Sequence, residues 1–501
     1  MQSRKQKIME TMKVTTSKMK LDNWIYATGK HLLLIFSLLF LVFPISVQGQ
    51  TQIGADIDGE TPFDESGTSI SMPDDQTLAI GAIYNDGNGD KSGHTRIYEW
   101  NGSTWVQKGG DIDGEAEDDF FGTSVSMPDA NTLAIGATGN DGNGNRSGHV
   151  RIFTWDGIAW VQKGANINGE DAEDQSGESV SMPDANTVAI GAIYTEDVGL
   201  NAGHVRIFIW NGNSWVQKGL DIDGQESGDK FGSSVSMPDA NTVAVGAPES
   251  DGSAYESGIV RIFTWNGSAW VQMGSDIDGE AAIDHFGTSV SMPDSNNIAI
   301  GAPYNDGNGY KYGNTRIYEW NGSSWIQKGS DIDGDEPGYL GWSLSMSDAN
   351  TVGIGAYRFD SNRGKVLIFK WNGNNWVQQG SDIIGEDNSG ESGFSISMSN
   401  QNTVAIGAHF NNGNNGNTIS SGHVRVYDIG TLSTVSSKIK NSVDFYPNPT
   451  SGKINIQMDD IQSDKLGIKL SNISGQVVLR QTRDFATNFA IDFNGSAGIY
   501  F

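Results

Sequence analysis

The stretch Ser234-Val235-Ser236-Met237-Pro238-Asp239-Ala240-Asn241-Thr242-Val243-Ala244-Val245-Gly246-Ala247 decides the fold together with Val260-Arg261-Ile262-Phe263-Thr264-Trp265-Asn266-Gly267-Ser268-Ala269-Trp270-Val271-Gln272, which follows it after a polar loop. Four short β-rich runs are punctuated by turn chemistry. Strand a covers 234–237, and the Pro-Asp-Ala-Asn turn leads to strand b at 243–247. Strand c covers 260–265, and an Asn-Gly step, a strong hairpin signal, leads to strand d at 270–272. Strand b alternates large and small residues, which leaves one face flat enough for a neighbouring sheet to approach.

The unit is one of seven. The phrase D-I-D-G begins at Asp56, Asp111, Asp221, Asp276 and Asp331, with variants at Asn166 and Asp382, so the spacing is 55 residues until a last interval of 51. A period of this size marks an array of supersecondary units that bury their faces against one another. Four strands per unit and no helical periodicity predict an all-β fold, a seven-bladed β-propeller. Unit seven stops after Val424-Arg425-Val426-Tyr427 and lacks strand d. The segment Thr51-Gln52-Ile53-Gly54-Ala55-Asp56 aligns with the strand d and exit at Val161–Asn166. The N-terminal strand is therefore expected to close the ring and remove an exposed edge.

Composition agrees. Glycine, at 65 of 501 residues, is well above the usual level of about 7%, and 14 Trp, 14 Tyr and 20 Phe supply a core. The net charge is -29, and residues 1–49 hold seven of the 32 basic residues, so the remainder is more acidic still. Such a field repels a phosphate backbone, and no nucleic-acid partner is expected. Cysteine is absent, which excludes disulfides, thiol catalysis and thiolate metal sites.

Residues 1–49 read as a signal peptide: a basic start, the apolar run Leu32–Phe43, and small residues Val47 and Gly49 before cleavage ahead of Gln50. Met12 and Met19 are alternative starts. The run is shorter than the roughly 20 residues that span a bilayer, so no transmembrane span is expected in the mature protein. The propeller covers 50–430, a Ser/Thr-rich linker 431–440, and a small β-sandwich 441–501. That sandwich is expected to be incomplete, because the chain stops inside an apparent strand at Ile499-Tyr500-Phe501.

Two resemblances follow from these residues. The units resemble the FG-GAP repeats of integrin α-subunit propellers: Phe121-Gly122, Phe231-Gly232 and Phe286-Gly287 match FG, and Gly246-Ala247-Pro248 and Gly301-Ala302-Pro303 match GAP. Units one, three and seven have Ser-Gly in place of FG. Calcium in the a–b loop of such repeats is not carried over, because Pro-Asp-Ala-Asn has too few carboxylates. The tail, with Tyr446-Pro447-Asn448-Pro449-Thr450-Ser451-Gly452-Lys453, resembles the C-terminal sorting domain of type IX secretion substrates. That resemblance implies contact with the type IX secretion machinery, export through the outer membrane, and release or surface attachment.

No catalytic constellation stands out. Of the seven histidines, four precede strand c at equivalent positions (His94, His149, His204, His423), and positions spread around a ring are not expected to be preassembled metal ligands. Arg96, Arg151, Arg206, Arg261 and Arg316 sit mid-strand. The twelve repeat tryptophans are expected to pack across strands rather than to stack on sugars. Asn101, Asn266 and Asn321 begin Asn-Gly-Ser triplets, which suit turns as well as glycosylation. The d–a loops, with Asp111, Asp113, Glu115, Asp118 and Asp119, and the b–c loops, with Asp86, Asp141 and Asp306, make one face acidic. Calcium is the cofactor this face could take, at Asp111, Asp113, Glu115, Asp276 and Asp278. The function expected is a secreted or cell-surface, non-enzymatic adhesion propeller binding an extracellular protein or glycan. The alternative is a carbohydrate-active hydrolase or lyase with its site at the propeller mouth, where units six (Arg358, Asp360, Arg363) and seven (His409 to Ser421) depart from the repeat.

Overall fold

Strand b is buried along its whole length in all seven repeats, as in Thr242–Ala247. A strand covered on both faces needs an unbroken apolar run, which Thr-Val-Ala-Val-Gly-Ala supplies. In the computed structural model of the chain the described residues are 50–430, except Asp197 and Asn417, and five strands between residues 443 and 492. The signal-peptide and linker expectations fall outside them. The repeats form seven antiparallel sheets, which makes the fold a seven-bladed propeller.

In blade four, strand a (Ser234–Asp239) pairs with strand b, b with strand c (Ile259–Trp265), and c with strand d (Trp270–Gln272). Strand a runs further than expected and absorbs Pro238 in an irregularity between Ser236 and Asp239, where a missing N–H does no harm. Strand d does not end at Gln272. After a break it resumes as Ile277–Asp278 and pairs with Val260 and Ile259. This corrects the placing of D-I-D-G in a loop: its centre is the second half of the outer strand. The Gly of the phrase is obligatory, since a Cβ on Gly279 would lie 1.9 Å from the Ser257 carbonyl.

The core lies between blades. Val205, Ile207 and Ile222 of blade three pack with Phe231, Met237, Val243 and Val245 of blade four. Trp265 and Trp270 face each other across strands c and d, 5.5 Å between ring centroids. They enclose Gly219 of the preceding blade, and Trp270 Nε1 donates to the Lys218 carbonyl at 2.7 Å. The Lys218 ammonium lies over both rings and donates to Ala240 and Asn241. These tryptophans are inter-blade rivets. The Asn266 side chain accepts from the N–H groups of Ser268 and Ala269, which closes the c–d turn.

Two hydrogen-bond rings run around the inner strands. Seven serine hydroxyls, from Ser69 to Ser395, each donate to a glycine carbonyl of the next blade at 2.6–2.8 Å. Seven methionine N–H groups, from Met72 to Met398, each donate to a serine of the previous blade. The circle is closed by Thr51 and Gln52, paired with Asp428 and Tyr427, and by Ile57 and Asp58, paired with Val424 and His423. The tail contributes a three-stranded sheet of Val443–Tyr446, Lys453–Met458 and Asn488–Asp492, and the pair Lys465–Ser471 and Val477–Asp484. Among the described residues no helix is long and apolar enough to cross a membrane.

Candidate functional site

Antiparallel alternation sends the d–a and b–c links to one face of the ring, and two groups of side chains gather there. The first repeats between blades. At the start of strand c stand His94, His149, His204, Ile259, Asn314, Lys365 and His423. Two residues on, Arg96, Arg151, Arg206, Arg316 and Arg425 turn back onto the preceding blade. They meet Glu60, Glu115, Glu170, Glu280 and Glu386 at 3.0–3.7 Å. They also donate to the carbonyls of Asp58, Asp113, Asn168, Asp278 and Ile384. Where the glutamate becomes Gln225, Arg261 instead binds Asp276 of its own blade at 3.1 Å. Where Leu367 replaces the arginine, Lys365 supplies the cation, 2.9 Å from Asp335 and 3.0 Å from Asp382.

The acids expected to hold calcium fall within this pattern. Asp111, Asp113 and Glu115 line one open groove of about 570 Å³ with Asn88, Arg151 and Trp160. Asp111 accepts from Gln107 Nε2 and gathers with Glu60 and His94, whereas Glu115 is turned to Arg151 and His149. Asp276 is held by Arg261 and Gln272. Asp113 and Asp278 lie in the outer-strand segments, and burial, then the neighbouring Asp111 or Asp276, pushes their carboxyls up. Asp119 is buried and accepts from the N–H groups of Glu115 and Ala116, so it shapes its own link. In the a–b turn, Asp239 accepts the Asn241 N–H. The histidines stand at equivalent positions of different blades, as the sequence implied. They are spread around the ring, yet Glu60–His94–Asp111, Glu170–His204–Asp221 and Asp56–His423–Glu386 each bring three ligand atoms within 4.8 Å, because the acids come from two adjacent blades. Burial, and then Arg96 or Arg425, lowers the pKa of His94 and His423 to about 4, so both imidazoles are neutral at pH 7.

The second group surrounds the mouth of the ring; sequence singled out Arg358 and His409 there but missed the aromatic side chains around them. The residue just before each FG or Ser-Gly step, or before Leu340-Gly341 in unit six, has a left-handed φ of 49–59° (Glu65, Phe120, Gln175, Lys230, His285, Tyr339, Glu391). Non-glycine residues hold that conformation only where the surroundings enforce it. Over blades five to seven these positions and the ends of strand b build an aromatic arc. Tyr304 lies 4.5 Å from His285 and 5.1 Å from Tyr339, Trp342 lies 4.6 Å from Tyr357, and Phe394 touches both Tyr357 and His409. Arg358 lies over Tyr339 and Tyr357, and Lys311 over Tyr304 and Tyr339. At the seam of blades seven and one, burial raises Glu65 and Glu391 to about 7, and Glu391 adds to the rise of Glu65. Glu391 also lies 3.7 Å from His409. The available signal was this column's variety, set against strands that barely change between units.

Comparison with known families fits this architecture. The FG-GAP repeat model matches residues 111–153, 217–263 and 276–318, and the secretion system C-terminal sorting domain matches 444–501. The chain carries FG-GAP repeats and a type IX secretion sorting domain. No curated protein matches it. A solved structure from Bacteroides uniformis, provisionally assigned as a 6-phosphogluconolactonase, is similar at a TM-score of 0.43 and 10% identity, over 64% of this chain and 87% of that one. The FG-GAP motif now has a physical reading. Its phenylalanines, Phe121, Phe231 and Phe286, are fully buried. The Gly of GAP and the Gly of the next blade's FG press together, since a Cβ on Gly246 would lie 2.1 Å from the Gly287 carbonyl. The sorting domain directs this FG-GAP propeller through type IX secretion to the medium or the cell surface.

Proposed function

We propose that this propeller is a non-enzymatic adhesion protein whose mouth binds an extracellular glycan, free or carried on a protein. The observation behind it is the aromatic arc over blades five to seven, the sharpest break in the repeat. The rings of Tyr304, Tyr339, Trp342 and Phe394 are only half-buried, and aromatic faces pack on the apolar faces of sugar rings. Arg358, Lys311 and Glu391 stand beside them for the hydroxyls. The mature propeller, screened on glycan and extracellular-matrix arrays with and without calcium, should show binding that Trp342→Ala and Tyr339→Ala remove without changing the melting temperature. Binding lost instead in Asp111→Asn and Asp276→Asn would move the site to the outer acidic groove.

The raised carboxyls of Glu65 and Glu391 favour one other reading, a carbohydrate-active hydrolase or lyase. A group that keeps its proton near neutrality suits general acid catalysis. Release of product from a bound glycan, abolished in Glu391→Gln, would decide for it.

A further inference from the structure

The inter-blade polar cluster carries an inference independent of the mouth and its ligand. In blade one, Glu60 gives one oxygen to Arg96 (Oε1, 3.4 Å) and turns the other to His94 Nδ1 (Oε2, 4.0 Å). In blade seven, Asp56 Oδ1 accepts from Gln52 at 2.6 Å, while Oδ2 lies 3.6 Å from His423 Nδ1. Glu386 Oε1 takes Arg425 at 3.0 Å. One oxygen of each acid is thus oriented by a donor outside the cluster, and the imidazole nitrogen meets the others. That is how outer partners orient metal ligands.

The repeat provides its own comparisons. In blade two Asn166 replaces the aspartate, and its Nδ2 sits 3.0 Å from Glu115 Oε2 and 3.4 Å from His149 Nδ1. In blade six the Lys365 ammonium sits between Asp335 and Asp382. Both variants put an electropositive centre where acceptor atoms converge. His94 and His423 are 1% and 2% exposed, so their Nδ1 atoms address the cluster from within the protein.

We propose that Glu60–His94–Asp111 and Asp56–His423–Glu386, with Glu170–His204–Asp221 as a third copy, bind divalent transition-metal ions, zinc above all. One imidazole and two carboxylates suit zinc, whereas calcium takes oxygen ligands alone. Each ion would tie adjacent blades, and the one in blade seven would also tie the N-terminal segment to the last strand.

The test is equilibrium dialysis of the full chain against micromolar zinc chloride, with bound metal counted by plasma mass spectrometry and folding followed by circular dichroism. Three equivalents are expected. His94→Ala and His423→Ala should each lose one, and Asn166→Asp, which completes the set in blade two, should gain one. The melting temperature should rise with zinc concentration, as for any ligand of the native state. Zinc content unchanged in both histidine variants, no gain in Asn166→Asp, or displacement by equimolar calcium would each overturn the assignment.

Discussion

The Ser395 hydroxyl donates to the Gly67 carbonyl at 2.7 Å, although 328 residues separate the two. The bond repeats a contact made at every other blade junction, so the seam of the ring is built like the rest of it. It differs in one respect: its outer strand is borrowed from the N-terminus. Ile53 N–H donates to the Val426 carbonyl, and the Ile53 carbonyl accepts from Trp105 of blade one.

Deleting Gln50–Gly54 should therefore lower the melting temperature and expose the edge of strand c in blade seven to aggregation. Ser395→Ala should cost about 1–2 kcal/mol, a hydrogen bond with its acceptor left buried. Gly407→Ala should cost about 3 kcal/mol, because its Cβ would meet the Gly67 carbonyl at 2.3 Å. Calorimetry, denaturant titration and size-exclusion chromatography check all three. A monodisperse deletion variant with an unchanged melting temperature would contradict the borrowed strand.

The stability contribution of Glu65 and Glu391 should fall between pH 5 and pH 8. It is opposed below about pH 6.5 by buried His94, His149, His409 and His423, whose lowered pKa values leave the folded state with fewer protons than the unfolded one. Burial raises Glu65 and Glu391 to about 7 in the folded state, against 4.5 for an exposed glutamate, so the folded state holds protons that the unfolded state has released. That contribution is fully present below the unfolded pKa and is lost as pH rises through the folded one. The melting temperature of the wild type relative to the Glu65→Gln, Glu391→Gln double variant should decline across this range. Equal slopes in the wild type and the double variant would refute the buried-carboxyl account.

Blade six shows that one lysine can replace the arginine clamp. In blade five, Arg316→Leu should strip the half-exposed Glu280 of its cation and the Asp278 carbonyl of its donor, and destabilise by about 1 kcal/mol. Adding Asn314→Lys should restore part of the loss, because the new ammonium would face Glu280 and Asp331 as Lys365 faces Asp335 and Asp382. A double-mutant cycle in denaturant measures the coupling. A coupling energy near zero would show that the two solutions are unrelated.

Removing residues 441–501 should leave a folded propeller that stays in the periplasm. The blades bury their cores against one another, and among the described residues the tail strands pair only with other tail strands. Fractionation with a propeller-specific antibody, beside a melting curve of the truncated protein, reads both halves of the expectation. Normal export of the truncated chain would reject the sorting role.

Much of the fold was legible because its instructions are local and repeated. The 55-residue spacing set the number of blades, Asn-Gly steps marked the c–d turns, and the missing strand d of unit seven revealed how the ring closes. D-I-D-G was misplaced because Ile277–Asp278 is a two-residue pairing, too short to show an alternation. The sites were hidden for a different reason. His94 meets Glu60, Arg151 meets Glu115, and Tyr339 meets Tyr304 only because a blade lays its links against those of its neighbour. Such partners lie 34–36 residues apart, well short of the 55-residue period, and come from different columns of the repeat, so no local pattern joins them. Sequence by itself determined each blade, through turn chemistry and apolar alternation. Only tertiary structure decided what the blades do to one another, because burial between packed sheets selects partners by distance in space.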